Sequence, residues 1–269
     1  MINNISFPSI GINLTLNRAL FSVFGIDIYA YGIIIALGLI LAFLYATREA
    51  DKVGLRQDDL LNMFLFAVPL AIVGARIYYV AFSWDSYRTD LLSVFDIRSG
   101  GLAIYGGIIA AVLTVLIYCC IKKISFGVVL DILCVGLLIG QAIGRWGNFF
   151  NGEAFGSKTN LPWAMTIITD GRTVAESVHP TFLYESLWNL IGSIVLTRYK
   201  KIKAFNGELF CGYMIWYGIG RTLIEGLRAD SLYAGIFKVS QLLSILLVIA
   251  GLILILVFRK IKNKGMDAE

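Results

Sequence analysis

Seven long apolar segments constrain this chain more than any other feature of its sequence. Each approaches the roughly 20 mostly apolar residues that an α-helix needs to cross the hydrocarbon core of a membrane. The sequence therefore predicts an all-α fold, that of a polytopic integral membrane protein with seven transmembrane helices. The segments cover residues 25–46, 59–81, 102–121, 126–144, 181–197, 208–227 and 239–258.

The composition agrees with this class and excludes a soluble domain. Hydrophobic residues form 58% of the chain and charged residues 15%, whereas about 25% of the residues in soluble domains are charged. The net charge of +5 could indicate a nucleic acid partner, but basic residues in cytoplasmic loops give a membrane protein the same sum. No nucleic acid partner is therefore expected. Because no linker or repeat is visible, residues 1–269 are expected to form a single transmembrane domain.

Positive charge orients the predicted helices. Lysine and arginine are concentrated in the connections after the first, third and fifth segments and in the C-terminal tail, and such loops are usually cytoplasmic. We therefore expect the N-terminus outside, the C-terminus in the cytoplasm and the connection over residues 145–180 outside. Within that connection, Asp170 and Gly171 between two β-branched runs predict a small hairpin. The basic residues are Arg48, Lys52, Arg56, Lys122, Lys123, Arg198, Lys200, Lys201, Lys203, Arg259, Lys260, Lys262 and Lys264.

The stretch GQAIGRWGNFFNGEAFG, residues 140–156, is polar where a lipid-facing helix would be apolar. Gly136, Gly140 and Gly144 recur every four residues, a spacing that lets a second helix approach closely, so this ridge indicates packing. The residues that follow combine arginine and amide donors with glycines that permit positive φ, which indicates a cradle for an anion. They are Arg145, Gly147, Asn148, Asn151, Gly152, Glu153 and Gly156.

A second polar stripe lies on the sixth segment. Tyr217, Arg221, Glu225 and Arg228 fall on one face of a helix. An intrahelical ion pair of Arg221 with Glu225 would account for two of these residues. It would not explain the presence of Arg228.

The predicted orientation brings further polar residues to the same outer ends. Charges inside a membrane usually face a partner or a cavity, and a transporter would be expected to hold them near the midplane. Their displacement to one side favours an enzyme that acts on lipid of the outer leaflet. The additional residues are Tyr29, Tyr31, Arg76, Tyr105, His179 and Glu185.

The motif GRWGNFFNGEAFG, residues 144–156, resembles the signature of the prolipoprotein diacylglyceryl transferase family, which is close to G-R-x-G-N-F-x-N-G-E-x-x-G. Further agreement covers nearly all seven segments in order. It includes YAYG at 29–32, GARIYYV at 74–80, HPTFLYE at 179–185 and YGIGRTLIEGLR at 217–228.

The resemblance implies a catalytic domain in the cytoplasmic membrane of a bacterium. Its members transfer the sn-1,2-diacylglyceryl group from phosphatidylglycerol to the lipobox cysteine of a preprolipoprotein signal peptide, which forms a thioether and releases glycerol phosphate. Neither a cofactor nor a metal is expected, since one histidine and scattered carboxylates give no ligand cluster. The catalytic candidates are Arg145, Arg221, Tyr105 and Glu153, and the substrate-binding candidates are Tyr31, Arg76, Asn148, Asn151, Gly156, Tyr217, Glu225, Arg228 and His179.

One position departs from the family pattern. Many members carry His-Gly-Gly where this chain has Tyr105-Gly106-Gly107, and that histidine is the usual candidate base. A neutral phenol accepts a proton less readily than an imidazole, so Tyr105 is expected to orient lipid or thiol, with a role as base as the alternative. His179 precedes Pro180 and is expected to make a structural hydrogen bond at a helix start, with catalysis as its alternative.

A second class of function uses the same arginines. An anion or lipid transporter, or a scramblase, would also need cationic groups inside the membrane. An intramembrane protease is not favoured, because the sequence has neither a Gly-x-Ser-Gly nor an HExxH motif.

Overall fold

The computed structural model describes residues 2–97, 100–229, 233–235 and 237–266, and this part of the chain is mostly helical. Its seven α-helices follow the seven predicted segments. They are α1 Ala30–Lys52, α2 Gln57–Phe82, α3 Ile104–Lys122, α4 Phe126–Asn151, α5 Thr181–Tyr199, α6 Glu208–Leu227 and α7 Val239–Met266.

Of the helices in the described residues, five are long and apolar enough to cross a membrane: α1, α2, α3, α4 and α7. Polar residues interrupt the other two. In α5 the side chains of Glu185, Ser186, Asn189 and Ser193 are buried, so they avoid contact with lipid. The prediction of a multi-pass helical protein is confirmed, and the count of seven spans stays a prediction.

The β-structure is more extensive than the predicted hairpin, so an all-α description was too narrow. The turn at Asp170 joins β5 (Met165–Thr169) to β6 (Arg172–Val178), which confirms the hairpin. β5 also pairs with β1 (Ile2–Phe7), and β1 pairs with β2 (Ile12–Asn17), in an antiparallel sheet of order β2-β1-β5-β6. Two further hairpins join β3 (Ala19–Val23) to β4 (Ile26–Tyr29) and β7 (Tyr233–Ala234) to β8 (Phe237–Lys238).

Several predicted boundaries differ from the structure, and two of them affect the candidate site. The first helix begins at Ala30 rather than at residue 25, because the residues before it belong to β4. The fourth helix continues to Asn151, so the connection to β5 begins at Gly152 rather than at residue 145. Arg145 and Asn148 consequently lie three residues apart on one face of α4.

The chain divides into two compact units, Met1–Ala46 with Leu130–Glu269, and Thr47–Val129. In the first unit, the four-stranded sheet shares a hydrophobic core with one end of α4 and of α5. Phe149 of α4 stacks on Phe182 of α5 with ring centroids 4.5 Å apart. Asn3 of β1 donates a hydrogen bond to the carbonyl of Phe150 at 2.7 Å. The sheet therefore fixes the ends of two helices that carry candidate site residues.

The glycine ridge of α4 serves helix packing, as predicted, and the helix that it contacts is α1. A Cβ atom on Gly136 would lie 3.0 Å from the carbonyl oxygen of Ala42, and one on Gly38 would lie 3.1 Å from the carbonyl oxygen of Gly140. At such distances a side chain would fit only if the neighbouring backbone moved by a few tenths of an ångström, so the two backbones pack closely.

The second unit is built on α2 and α3, which meet at two glycines. A Cβ atom on Gly74 would lie 2.8 Å from the carbonyl oxygen of Gly106, and one on Gly106 would lie 2.4 Å from that of Gly74. Direct backbone contact therefore sets the spacing of these helices.

Candidate active site

The buried carboxylate of Glu185 joins the two arginines that the sequence singled out. Its side chain is 7% exposed. Oε2 lies 2.5 Å from Nη2 of Arg145, and Oε1 lies 3.0 Å from Nη1 of Arg221. Since Arg145 is on α4, Glu185 on α5 and Arg221 on α6, one carboxylate ties three helices together through charge-assisted contacts.

Glu225 and Arg228 extend this cluster. Oε2 of Glu225 lies 2.6 Å from Nη2 of Arg221 and 3.9 Å from Nε of Arg228, and Nη1 of Arg228 lies 4.0 Å from Oε1 of Glu185. The expected pair of Arg221 with Glu225 is confirmed, and Arg228 contacts both carboxylates. Three guanidinium groups, from α4, from α6 and from the residue that follows α6, therefore lie beside two buried carboxylates.

A chain of hydrogen bonds leads from Arg145 along the end of α4. Nη1 of Arg145 donates to Oδ1 of Asn148 at 3.2 Å, and Nδ2 of Asn148 donates to Oε1 of Glu153 at 2.9 Å. Asn151 donates to the same oxygen at 3.3 Å. The structure thus brings together four residues of the predicted anion cradle, with the exposed carboxylate of Glu153 oriented by two amide donors.

Gly156 marks a close crossing of backbone segments. Its amide donates to the carbonyl of His179 at 2.9 Å, and it forms an antiparallel bridge with Arg228. A Cβ atom at this position would lie 2.6 Å from Cβ of His179 and 3.0 Å from the carbonyl oxygen of Leu227. Gly156 therefore holds the backbone of Arg228 in place through a contact that a larger residue would disrupt.

The ring of His179 has a hydrogen-bond partner near the start of α5. Its Nδ1 lies 3.2 Å from the hydroxyl of Tyr184, and that hydroxyl also accepts a hydrogen bond from Nε1 of Trp163 at 2.6 Å. The structural hydrogen bond expected of His179 is present.

Tyr31 lines two clefts of the first unit. Its ring packs on Gly147, where a Cβ atom would lie 2.7 Å from the ring carbon Cδ2. One cleft, of about 630 Å³, includes Asn151. The other, of about 340 Å³, follows the contact of α1 with α4 and ends at Arg145 and Asn148. A molecule in the second cleft would therefore reach the arginine cluster.

Tyr217 lies on α6, one turn before Arg221. Its ring stacks on that of Tyr213 with centroids 5.8 Å apart, and the hydroxyl of Tyr213 accepts a hydrogen bond from Gln141 of α4 at 2.9 Å. This contact helps to hold the predicted polar face of α6 against α4.

Arg76 and Tyr105 belong to the second unit. Tyr105 is exposed in the first turn of α3. Arg76 is buried, and its guanidinium anchors the connection between α2 and α3. The predicted contact of Arg76 with substrate stays a prediction. The carbonyls that accept its hydrogen bonds, at 2.7 to 3.0 Å, belong to Ser93, Val94, Gly100 and Gly101.

Glu185 is the residue whose importance sequence reasoning missed. A signal was present, because a carboxylate in a membrane helix needs a partner and two neighbouring segments carried arginines. The adjacent Ser186 supports its position: Oγ donates to the carbonyl of Ala142 at 2.8 Å and accepts from Nε1 of Trp146 at 3.2 Å. These bonds tie α5 to α4 beside Arg145.

Comparison with known proteins decides the family. The family model described as prolipoprotein diacylglyceryl transferase matches residues 18–257. The chain belongs to the prolipoprotein diacylglyceryl transferase family. It is therefore a transferase and a multi-pass bacterial membrane protein, and the resemblance found in the sequence is confirmed.

Curated members of the family are similar over almost their whole length. Three of them carry the name phosphatidylglycerol–prolipoprotein diacylglyceryl transferase. The relative from Finegoldia magna is 52% identical over 246 residues, which cover 91% of this chain and 97% of that protein. The relative from Clostridioides difficile is 46% identical, with coverage of 94% and 100%. The one from Enterococcus faecalis is also 46% identical, with 92% of each chain covered.

Proposed function

We propose that this transferase moves the sn-1,2-diacylglyceryl group of phosphatidylglycerol to the thiol of the lipobox cysteine in a preprolipoprotein signal peptide. The sulfur attacks the glyceryl carbon that bears the phosphate. A carbon–sulfur bond forms, the carbon–oxygen bond to the phosphate breaks, and glycerol phosphate leaves. The names of the relatives support phosphatidylglycerol and prolipoprotein as substrates.

The observation that carries this proposal is the position of two guanidinium groups from different helices, those of Arg145 and Arg221, on the one buried carboxylate of Glu185. Two cations held side by side suit an anionic head group. Each guanidinium has five N–H donors, and within the described residues Arg145 and Arg221 each contact two side chains. Donors therefore remain for phosphate oxygens, which a guanidinium binds bidentately while it stays charged.

Catalysis then consists mainly of stabilising the leaving group. The attacking thiol belongs to the substrate, so the protein needs no nucleophile of its own. As the carbon–oxygen bond breaks, negative charge grows on the departing phosphate, where Arg145 and Arg221 stabilise it in a site that is poor in water. Glu185 holds both guanidinium groups in place before the lipid arrives, so little reorganisation is needed.

The remaining candidates have supporting roles in this proposal. Tyr105 orients the lipid or the thiol, or accepts the thiol proton, with Glu153 and His179 as the alternative acceptors. The other residues bind the head group or shape its surroundings, and they are Tyr31, Arg76, Asn148, Asn151, Gly156, Tyr217, Glu225 and Arg228.

We also propose that all seven helices cross the cytoplasmic membrane as one catalytic domain, with the N-terminus outside and the C-terminus in the cytoplasm. The distribution of lysine and arginine supports this orientation. The burial of polar side chains in α5 supports a membrane position for that helix despite its composition.

The experiment that tests the function uses purified protein in liposomes with phosphatidylglycerol as the only diacylglyceryl donor. A lipobox peptide should gain the mass of one diacylglyceryl group, with release of an equal amount of glycerol phosphate, and a peptide with serine in place of the cysteine should not. The alternative function, transport or scrambling of lipid or anions, predicts movement across the bilayer with an unchanged peptide. That result would overturn the proposal.

A further inference from the structure

Two tryptophans interlock α5 with α6. Trp188 of α5 and Trp216 of α6 stack with ring centroids 4.6 Å apart and an interplanar angle of 24°. Nε1 of Trp188 donates to the carbonyl of Trp216 at 3.0 Å, and Nε1 of Trp216 donates to the carbonyl of Trp188 at 3.0 Å. The contact is reciprocal, so neither helix can slide without breaking both hydrogen bonds.

A glycine one turn after each tryptophan makes room for the opposite ring. A Cβ atom on Gly220 would lie 2.1 Å from Nε1 of Trp188, and one on Gly192 would lie 2.3 Å from Nε1 of Trp216. Both helices therefore carry the spacing Trp-x-x-x-Gly. We call these four residues the tryptophan clasp.

The clasp lies within one helical turn of the buried ion pair. Glu185 precedes Trp188 by three residues, and Arg221 directly follows Gly220. An α-helix rises 1.5 Å per residue. A slide of α6 along α5 by even one residue would therefore move Arg221 by about 1.5 Å relative to Glu185 and weaken the 3.0 Å contact between them.

We propose that Trp188 and Trp216 are positioning residues that fix the register of α6 against α5 and thereby aim the Arg221 guanidinium at the departing phosphate. This inference rests on the proposed function of Arg221. The clasp acts through the ion pair of Arg221 with Glu185. Because the negative charge on the phosphate that Arg221 contacts grows in the transition state, a shift of Arg221 lowers kcat by a larger factor than it raises KM.

The test compares two glycine-to-alanine variants of the same helix. Gly220→Ala places a methyl group against the Trp188 ring, whereas at Gly226 a Cβ atom would make only an ordinary contact, 3.5 Å from Nε2 of Gln241. Small displacements of a catalytic group can cost about 10²-fold in rate, and we expect a loss of that order in kcat for Gly220→Ala. KM should rise by a much smaller factor, and Gly226→Ala should keep the wild-type kcat.

A second variant separates positioning from folding. The double variant Gly220→Ala with Trp188→Phe should recover part of the lost kcat, because the smaller ring leaves space for the methyl group. Trp188→Phe alone removes one reciprocal hydrogen bond, and it should lower kcat and weaken the near-ultraviolet circular dichroism of the stacked indoles. If Gly220→Ala does not fold, the Trp188→Phe variant alone tests the proposal.

Two results would overturn the inference. One is a wild-type kcat in every folded clasp variant. The other is a fall in melting temperature and kcat in Gly220→Ala that the added Trp188→Phe change does not relieve. Absence of transfer by the wild-type protein would instead refute the proposed function itself.

Discussion

At the scale of single residues, Glu185 organises the site. Its two carboxylate oxygens contact arginines of two different helices, so it sets the distance between the cations that are proposed to receive the phosphate. A buried ion pair adds little net stability, but removal of one partner is costly because the other charge stays buried. The importance of Glu185 therefore lies in geometry and in charge balance.

Replacement of Glu185 by glutamine tests that role. The amide keeps the shape and removes the charge, so Arg145 and Arg221 lose their shared counter-ion. Loss of one partner of a buried pair typically costs about 3–5 kcal/mol, and we expect a clear fall in melting temperature together with loss of transfer. Glu176→Gln, on an exposed position of β6, should change neither. Unchanged melting and transfer in Glu185→Gln would contradict the assignment.

Tyr105 allows a second test at this scale. If the hydroxyl orients lipid or thiol, Tyr105→Phe should reduce transfer. Tyr105→His should largely retain it, because imidazole both donates and accepts hydrogen bonds. Similar pH–rate profiles for the tyrosine and histidine proteins would indicate orientation, and a profile that moves with the residue would make position 105 the base. A fully active Tyr105→Phe protein would exclude both roles and direct attention to Glu153 or His179.

At the scale of elements, the helices could be predicted from sequence and most of the sheet could not. Length and apolar character determine a membrane helix locally, which is why α3, at Ile104–Lys122, lies close to its expected bounds. The sheet depends on pairing between residues that are far apart in the sequence, such as Asn3 and Thr169. No local sequence pattern predicts such a pairing. Only the hairpin of β5 and β6, with its Asp170-Gly171 turn, had a local signal.

The candidate site likewise contains residues that could be predicted from the sequence and contacts that could not. Arg145 and Arg221 stood out because arginine in an apolar segment needs an explanation. The hydrogen-bond acceptors of Arg76 could not be predicted, because they are backbone carbonyls, which every residue carries. The role of Arg76 as an anchor for the connection between α2 and α3 could therefore be found only in the structure.

That anchor gives a prediction at the element scale. Arg76→Gln removes a guanidinium that donates to four carbonyls, and hydrogen bonds to charged groups are each worth about 1.5–3 kcal/mol. We expect a lower melting temperature and faster proteolysis of the connection between α2 and α3. Arg88→Gln, in the same connection, removes an exposed contact with Asp85 and should have no measurable effect. Equal protease resistance of the two variants would contradict the anchoring role.

At the scale of the whole molecule, charge distribution predicts the orientation in the membrane. Lys158 lies in the connection after α4 and Lys201 in the connection after α5, and both are exposed. Single cysteines at these positions, in a background without the four native cysteines, should differ in their reactivity. On intact cells, only the cysteine at position 158 should react with a membrane-impermeant thiol reagent. Labelling of position 201 instead would overturn both the topology and the leaflet assigned to the site.

The central claim is that Arg145 and Arg221 stabilise the departing phosphate, and the turnover of Arg221 variants in phosphatidylglycerol liposomes tests it most directly. Lysine keeps the charge but loses the bidentate fork. Loss of one strong electrostatic donor costs about 10²–10³ in rate. We predict a fall of that order in kcat for Arg221→Lys and a larger one for Arg221→Ala, with wild-type turnover in Arg198→Lys at an exposed position of α5. Near-normal transfer by folded Arg221→Ala protein would contradict the account.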